Sequence, residues 1–195
     1  MSMIKVEIND EDVHEYVSGI TAGEVLDNIY GNRSGAVAAI VNGIQKDMSF
    51  TLDENCKIEA ILGESDEGLY ILRHSCAHLL AQVVLEMFPD AKPTIGPPIE
   101  HGFYYDFHMD PIGDTELKVL EKRMNKLVRE NIKIVREEHE NNVLRDMFAD
   151  NKFKIEIMDE KIGNEIGSTA YRQGDFVDLC RGPHVPSTSH LRWFK

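Results

Sequence analysis

The chain has 195 residues and a formal net charge of −13, with 42% hydrophobic and 28% charged residues. This composition predicts a folded core, and no apolar run reaches the roughly 18 residues of a membrane span. The acidic balance predicts weak binding to nucleic acid, because phosphate contacts need a basic surface. The first ten residues lack the basic and apolar regions of a signal peptide. Three scattered cysteines form no disulfide framework, so a cytoplasmic location is expected.

Residues 1–62 predict a small mixed domain. Apolar residues alternate with polar ones near the N-terminus, which is typical of a half-buried strand. Thr21 and Glu24 have the spacing of a capping box at the start of a short helix. A strand then ends at the turn Asn42-Gly43, and Ile58 to Leu62 alternate as a last strand. The order ββαββ predicts a β-grasp, ubiquitin-like fold.

The polar run at residues 63–68 predicts a linker, and residues 69–195 predict a larger α+β domain. Its long first helix is expected over Leu69 to Phe88, with a second helix from Asp114. The other elements follow from shorter patterns. They are strands at 102–107, 132–135, 153–157 and 176–179, and a helix at 142–149.

Two pairs of side chains carry the chemistry of the second domain. His74 and His78 are four residues apart on the long helix, so they share one face. Cys180 and His184 form a second pair just after a predicted strand, and the Gly182-Pro183 turn between them lets both side chains point the same way. We expect the four residues to form one site.

Three kinds of chemistry fit these four residues. Histidine and cysteine are ligands for tetrahedral zinc, and a pair at i, i+4 on a helix is a usual metal spacing. Without metal, neutral imidazoles take a proton from water and return one to a leaving oxygen. Cys180 as a covalent nucleophile is a third interpretation, although nothing else in the pattern supports it. Spacing alone does not choose among them, and no phosphate-binding loop or other ATP site is legible.

Three segments resemble the editing domain of bacterial threonyl-tRNA synthetases. They are HSCAHLLAQ, TIGPPIEHGFYYDF and GDFVDLCRGPHVPST. The segment before them is similar to the TGS domain that precedes the editing domain in that family. The histidine and cysteine pairs alone also occur in alanyl-tRNA editing proteins. The segments IGPPIEHGFYYDF and DLCRGPH together are more specific to the threonyl type.

The resemblance implies roles for further residues. Asp178 matches an acidic residue two positions before the cysteine, and Lys154 matches a lysine that faces the substrate. Tyr105 matches a tyrosine that lines the pocket, and the turn at Gly96 and Pro97 shapes it. Together with the four residues above, Lys154 and Asp178 are the implied catalytic set.

The resemblance also implies an activity, which is hydrolysis of mischarged seryl-tRNA(Thr). Editing is expected to need no cofactor, although the ligand set permits zinc. Relatives continue into a class II aminoacylation domain, which would bring ATP, Mg and a catalytic zinc, and into an anticodon-binding domain. The full-length protein is expected to be a homodimer that ligates threonine to tRNA(Thr), with no membrane partner. The alternatives are a zinc-dependent alanyl-type deacylase and a non-catalytic tRNA-binding module.

Overall fold

The computed structural model describes residues 2–8, 12–31, 35–161, 168–192 and 194. These residues form a mixed structure of helices and several sheets, in agreement with the predicted α+β class. They pack as two units, the first made of residues 1–72 and 182–186 and the second of residues 73–181 and 187–195. None of the helices in the described ranges is long and apolar enough to cross a membrane.

The first unit is built on a five-stranded sheet. Its elements are β1 (Met3–Ile8), β2 (Asp12–Val17), β3 (Ile20–Thr21), α1 (Ala22–Tyr30), β4 (Ala36–Val41), β5 (Ile44–Lys46), β6 (Thr51–Leu52) and β7 (Cys56–Leu62). The sheet order is β2-β1-β7-β4-β5. Strands β1 and β7 run parallel, and the other neighbours run antiparallel. The short strands β3 and β6 pair separately.

Local sequence explains much of this unit. In β1 the alternating residues Ile4, Val6 and Ile8 are buried, as expected for a strand with one covered face. The predicted capping box is confirmed, because the Glu24 N–H donates to the Thr21 hydroxyl and the Thr21 N–H donates to the Glu24 carboxylate. Asn42 and Gly43 both have positive φ, 49° and 81°, which suits the tight turn between β4 and β5.

The second unit contains the rest of the secondary structure, together with most of a helix that starts in the first unit. In chain order these elements are α2 (Asp66–Met87), β8 (Lys92–Pro93), β9 (Pro98–Ile99), β10 (Gly102–Phe103), β11 (Phe107–His108), α3 (Asp114–Glu130), β12 (Ile134–His139), α4 (Asn141–Met147), α5 (Lys152–Lys161), β13 (Ser168–Gln173) and β14 (Phe176–Leu179). Strands β12, β13 and β14 form an antiparallel sheet. Two short hairpins pair β8 with β11 and β9 with β10.

Three predicted elements need correction. Helix α2 begins at Asp66 rather than Leu69, because the Ser65 hydroxyl accepts a hydrogen bond from the Gly68 N–H and caps the helix start. The strand predicted at 102–107 is divided into β10 and β11. The segment predicted as a strand at 153–157 lies in helix α5. Its apolar residues alternate, but the buried pair there is Lys154 and Met158, at helical spacing.

Candidate active site

Helix α2 positions the two histidines. The helix is buried on most sides near them, with Ala77, Leu79 and Ala81 fully covered, so its orientation is fixed by packing. His74 and His78 lie one turn apart, and their ring centroids are 5.2 Å apart in an edge-to-face arrangement. The His78 side chain is itself buried. The predicted shared face of the helix is therefore present.

Cys180 lies beside His74. It follows β14 directly, and its Sγ is 3.3 Å from Nε2 of His74. Two hydrogen bonds with Thr169 hold the Cys180 backbone in place: the Cys180 N–H donates to the Thr169 carbonyl oxygen, and the Thr169 hydroxyl donates to the Cys180 carbonyl oxygen. Cys180 forms no disulfide and has intermediate exposure. The structure thus brings together residues that are 106 positions apart in the chain.

Asp178 is the centre of a buried polar cluster. Its Oδ1 lies 2.5 Å from Nζ of Lys154, and its Oδ2 accepts a 2.5 Å hydrogen bond from the Tyr105 hydroxyl. The Lys154 ammonium also donates to the Tyr105 hydroxyl at 3.0 Å. Nε2 of His78 is 3.7 Å from Oδ2 of Asp178. All four side chains are less than 10% exposed. Their polar atoms therefore find hydrogen-bond partners within the cluster rather than in bulk water.

Burial and charge set the protonation of this cluster. Burial lowers the pKa of His74 to about 4 and that of His78 to about 3, so both imidazoles are neutral at pH 7. Burial alone would raise the pKa of Asp178, but the Lys154 ammonium and the hydrogen bonds from Lys154 and Tyr105 outweigh it, so the pKa is lowered and the carboxylate is charged. Burial and the Asp178 charge hold the pKa of Tyr105 well above its ordinary value of 10.0, so Tyr105 stays a donor.

Gly96 packs directly against the ring of Tyr105. A Cβ at Gly96 would lie 2.2 Å from Cδ2 of Tyr105, closer than any real contact, so only glycine lets the ring occupy this position. Gly96 was expected to contact substrate, and the structure gives it a packing contact with a site residue. Pro97, the other expected pocket residue, is half-buried just before β9.

His184 packs with the first unit. Its side chain is buried, and its backbone N–H donates to the Asp47 carboxylate at 3.0 Å. Between Cys180 and His184, the Gly182-Pro183 peptide bond is cis and Gly182 has a φ of 72°.

The histidines of α2 and Cys180 have the donor atoms for a metal ion. One ligand atom from each of His74, His78 and Cys180 lies within 4.8 Å of the others. Ligand atoms around a tetrahedral zinc are about 3.5 Å apart, as bond lengths of 2.0–2.3 Å require. The arrangement is thus compatible with zinc after small side-chain adjustments, and the donor set alone does not require it.

A cleft of about 690 Å³ adjoins the cluster. Lys154 and Asp178 line it, together with Asn151, Arg172 and Phe176. In the described part of the chain, its walls include neither histidine of α2 nor Cys180. Sequence reasoning missed Asn151, which would have been recognised as a helix cap if residues 153–157 had been predicted as a helix.

Comparisons with known proteins identify the relatives of this chain. The family described as "Threonyl and Alanyl tRNA synthetase second additional domain" matches residues 169–195, which include Asp178, Cys180 and His184. A threonine–tRNA ligase of Streptococcus gordonii is 40% identical over 98% of this chain and 30% of its own length. Those of Staphylococcus epidermidis and Thermoplasma acidophilum are 41% and 43% identical, over 100% and 82% of this chain and 30% and 24% of their own lengths.

These matches define the class first: the chain is homologous to aminoacyl-tRNA synthetases, and its residues 169–195 match their second additional domain. Within that class its relatives are threonine–tRNA ligases, to which it is about 40% identical along nearly its whole length. The chain spans about 30% of the length of those relatives. The resemblance predicted from the sequence motifs is thereby confirmed.

Proposed function

We propose that this chain hydrolyses the ester bond of mischarged seryl-tRNA(Thr), as an editing domain of a threonine–tRNA ligase. The observation that carries the proposal is the buried cluster of Lys154, Asp178 and Tyr105 beside two neutral histidines, on a chain related to those ligases. A buried ammonium and carboxylate add little to the stability of a protein core, because desolvating the two ions is costly. Perturbed protonation at such a cluster is typical of an active site.

The need for such a reaction follows from the size of serine. Serine is threonine without one methyl group, and a missing methyl is worth only about 1–3 kcal/mol in a binding pocket, or roughly 10–200-fold. A second site that admits seryl-tRNA and excludes the larger threonyl group restores accuracy. Tyr105, held by Gly96, is the proposed wall of that pocket.

The proposed mechanism uses water as the nucleophile. A water held by His74 and His78 attacks the ester carbonyl, its oxygen bonds to the carbonyl carbon, and the bond to the terminal ribose oxygen breaks. The water proton passes to that ribose oxygen, so serine and free tRNA are released. With pKa values of about 4 and 3, the imidazoles are weak bases and chiefly orient the water. Lys154 stabilises the developing negative charge.

Asp178, Cys180 and His184 complete the proposed set. Asp178 keeps Lys154 charged and aimed, through the 2.5 Å ion pair. Cys180 holds His74 through its thiol. His184 is included in the proposed set because the sequence pairs it with Cys180, four residues earlier in the chain.

The wider assignments rest on the relatives and are part of the same proposal. Residues 1–62 are proposed as a TGS domain of β-grasp type, residues 63–68 as a linker and residues 69–195 as the editing domain. The mixed five-stranded sheet with one helix supports the β-grasp assignment. In the cytoplasm, the full-length protein is proposed to be a homodimeric ligase, with ATP, Mg and zinc bound in a class II domain.

The test is deacylation of seryl- and threonyl-tRNA(Thr), side by side, by the 195-residue chain. We expect faster hydrolysis of the seryl ester and a loss of about 10²-fold or more in the His74→Ala and His184→Ala variants, because the attacking water loses its orientation. Lys154→Met is expected to fall in the same range, because it removes the oxyanion partner. His101→Ala is the control, because the His101 side chain is exposed, with its Nε2 3.7 Å from a carboxylate oxygen of the neighbouring Glu100.

Two results would redirect the proposal. Binding of seryl-tRNA without hydrolysis would favour the non-catalytic module. Activity that a chelator abolishes and zinc restores, with preference for alanyl-tRNA, would favour the zinc-dependent alanyl-type deacylase, which the donor set of His74, His78 and Cys180 permits. Unchanged seryl-tRNA hydrolysis in chelator is expected for the metal-free mechanism.

A further inference from the structure

Two separate elements bring Lys154 and Tyr105 to Asp178. Lys154 lies in the first turn of α5, and Tyr105 lies in the segment between β10 and β11. The hydroxyl of Tyr105 and Nζ of Lys154 are only 3.0 Å apart, although the residues are 49 positions apart in the chain. A shift of either element would separate donors that must meet on one carboxylate.

Asn151 connects these two elements. Its side chain is 8% exposed and makes hydrogen bonds with both ends of its amide. Oδ1 accepts from the Phe153 N–H at 3.1 Å and the Lys154 N–H at 3.4 Å, which caps the start of α5. Nδ2 donates to the carbonyl oxygen of Pro93 at 2.7 Å. Because one end faces N–H groups and the other a carbonyl, the amide orientation is fixed.

Pro93 belongs to the hairpin that carries Tyr105. Pro93 in β8 pairs with Phe107 in β11, and the Tyr105 ring stacks on the Phe107 ring with centroids 4.9 Å apart. The pairing continues toward Tyr105, because the Thr94 N–H donates to the Asp106 carbonyl and the Asp106 N–H donates to the Ile95 carbonyl. The chain of contacts therefore runs from the Lys154 backbone, through Asn151, to the strand pair that holds Tyr105.

We propose that Asn151 is a positioning residue for the hydrolysis, acting through Lys154 and Tyr105 rather than touching the substrate. Its cap sets the start of α5, and its bond to Pro93 sets the distance between α5 and the hairpin. This inference rests on the proposed editing function only for its kinetic test. Misplacing a catalytic group by about 1 Å costs up to about 100-fold in rate. A small shift of α5 or the hairpin on loss of the Asn151 hydrogen bonds would therefore change the rate measurably.

The kinetic test compares Asn151→Ser with Asn151→Ala. Serine keeps the oxygen that caps a helix but does not reach Pro93, whereas alanine loses both bonds. Both variants are expected to lower kcat for seryl-tRNA, by about 10- to 100-fold, with little change in KM. In a Lys154→Ala background, Asn151→Ser is expected to cause no further loss, because residues that act as a unit are not additive. Asn142→Ser, an exposed asparagine at the start of α4, is the matched control.

A second readout does not depend on activity. In protein labelled at the ζ-carbon of tyrosine, the Tyr105 resonance is assigned by its absence in Tyr105→Phe. We expect this resonance to move toward those of the exposed tyrosines in Asn151→Ser and to stay in place in Asn142→Ser. Additive rate losses in the double variant, or an unmoved Tyr105 resonance in folded Asn151→Ser, overturn the inference. An inactive parent chain with a displaced Tyr105 resonance overturns the editing function and leaves the positioning role supported.

Discussion

The two packing units use their buried positions differently. In the first unit the core around β1, β7 and α1 is made of aliphatic side chains such as Val6, Leu26 and Ile58, all fully buried. In the second unit, Lys154 and Asp178 are 3% and 2% exposed, nearly as deeply buried as those aliphatic residues. The free energy of the first core comes from removing apolar surface from water. The second unit also buries an ion pair, which is weak support for stability and so points to function.

This difference should appear most strongly in the response to acid. The pKa values of His74 and His78 are lowered to about 4 and about 3, whereas an imidazole in the unfolded chain has a pKa of about 6.5. Between pH 6.5 and 4 the unfolded chain therefore binds more protons, so stability falls as pH falls. The free energy of unfolding should fall by several kcal/mol in all over this range, since one pKa unit corresponds to about 1.4 kcal/mol.

Urea unfolding from pH 7 to pH 4, in chelator to exclude bound metal, measures this slope. His74→Leu should make the slope less steep, because one of the two titrating histidines is gone and His78 remains. The same change at the exposed His101, whose imidazole is solvated in both states, should leave the slope as in the parent. A slope that is equally steep in His74→Leu would contradict the assignment.

The buried ion pair gives the next largest effect. Asp178→Asn removes the charge that faces the Lys154 ammonium, and an uncompensated buried charge costs about 3–5 kcal/mol. The double variant Lys154→Met with Asp178→Asn should recover part of this loss, because both charges are gone, but it should not hydrolyse seryl-tRNA. Denaturant unfolding of the single and double variants measures the coupling.

The surface pair of Arg145 and Asp159 supplies the control for that cycle. Both side chains are about half exposed, so Asp159→Asn should cost no more than about 1 kcal/mol. Equal losses in Asp178→Asn and Asp159→Asn would mean that the cluster is far better hydrated than its burial implies.

The features that could be predicted from the sequence depend on local signals, and those that could not depend on long-range contacts. Alternation in β1, the Thr21–Glu24 capping box and the Asn42-Gly43 turn each depend on neighbours in the chain. The histidine pair also follows from helical spacing. By contrast, the hydrogen bond between Tyr105 and Asp178 joins residues 73 positions apart, and no local pattern indicates it. Lys154 was assigned to a site by resemblance but to the wrong element, since alternation over five residues fits a short helix as well as a strand.

Packing beneath Tyr105 should give a smaller effect than either charge change. Gly96→Ala would place a methyl group 2.2 Å from the Tyr105 ring, so the ring or the backbone must move. Overpacking of this kind costs about 1–3 kcal/mol, and the displaced hydroxyl would leave Asp178. Gly102→Ala is the matched control, because a Cβ there meets nothing within 4 Å. Thermal unfolding should separate the two, and similar melting temperatures would argue against a fixed Tyr105 ring.

The smallest expected effect lies in the first unit, where a polar side chain caps a helix by accepting a hydrogen bond from a backbone N–H. Thr21→Ala removes the hydroxyl that accepts from the Glu24 N–H at 3.2 Å, leaving an N–H at the start of α1 without its partner. The expected loss is about 1 kcal/mol of unfolding free energy, as for other helix caps. Thr21→Ser keeps the oxygen and should restore nearly all of it. The Thr21 hydroxyl also donates to the Glu24 carboxylate, and the hydrogen bonds from Thr21 lower the pKa of Glu24. This part of the stabilisation is lost when Glu24 is protonated, so the difference between parent and Thr21→Ala should shrink as the pH falls toward 4. A difference that grew on acidification would contradict this account of the cap.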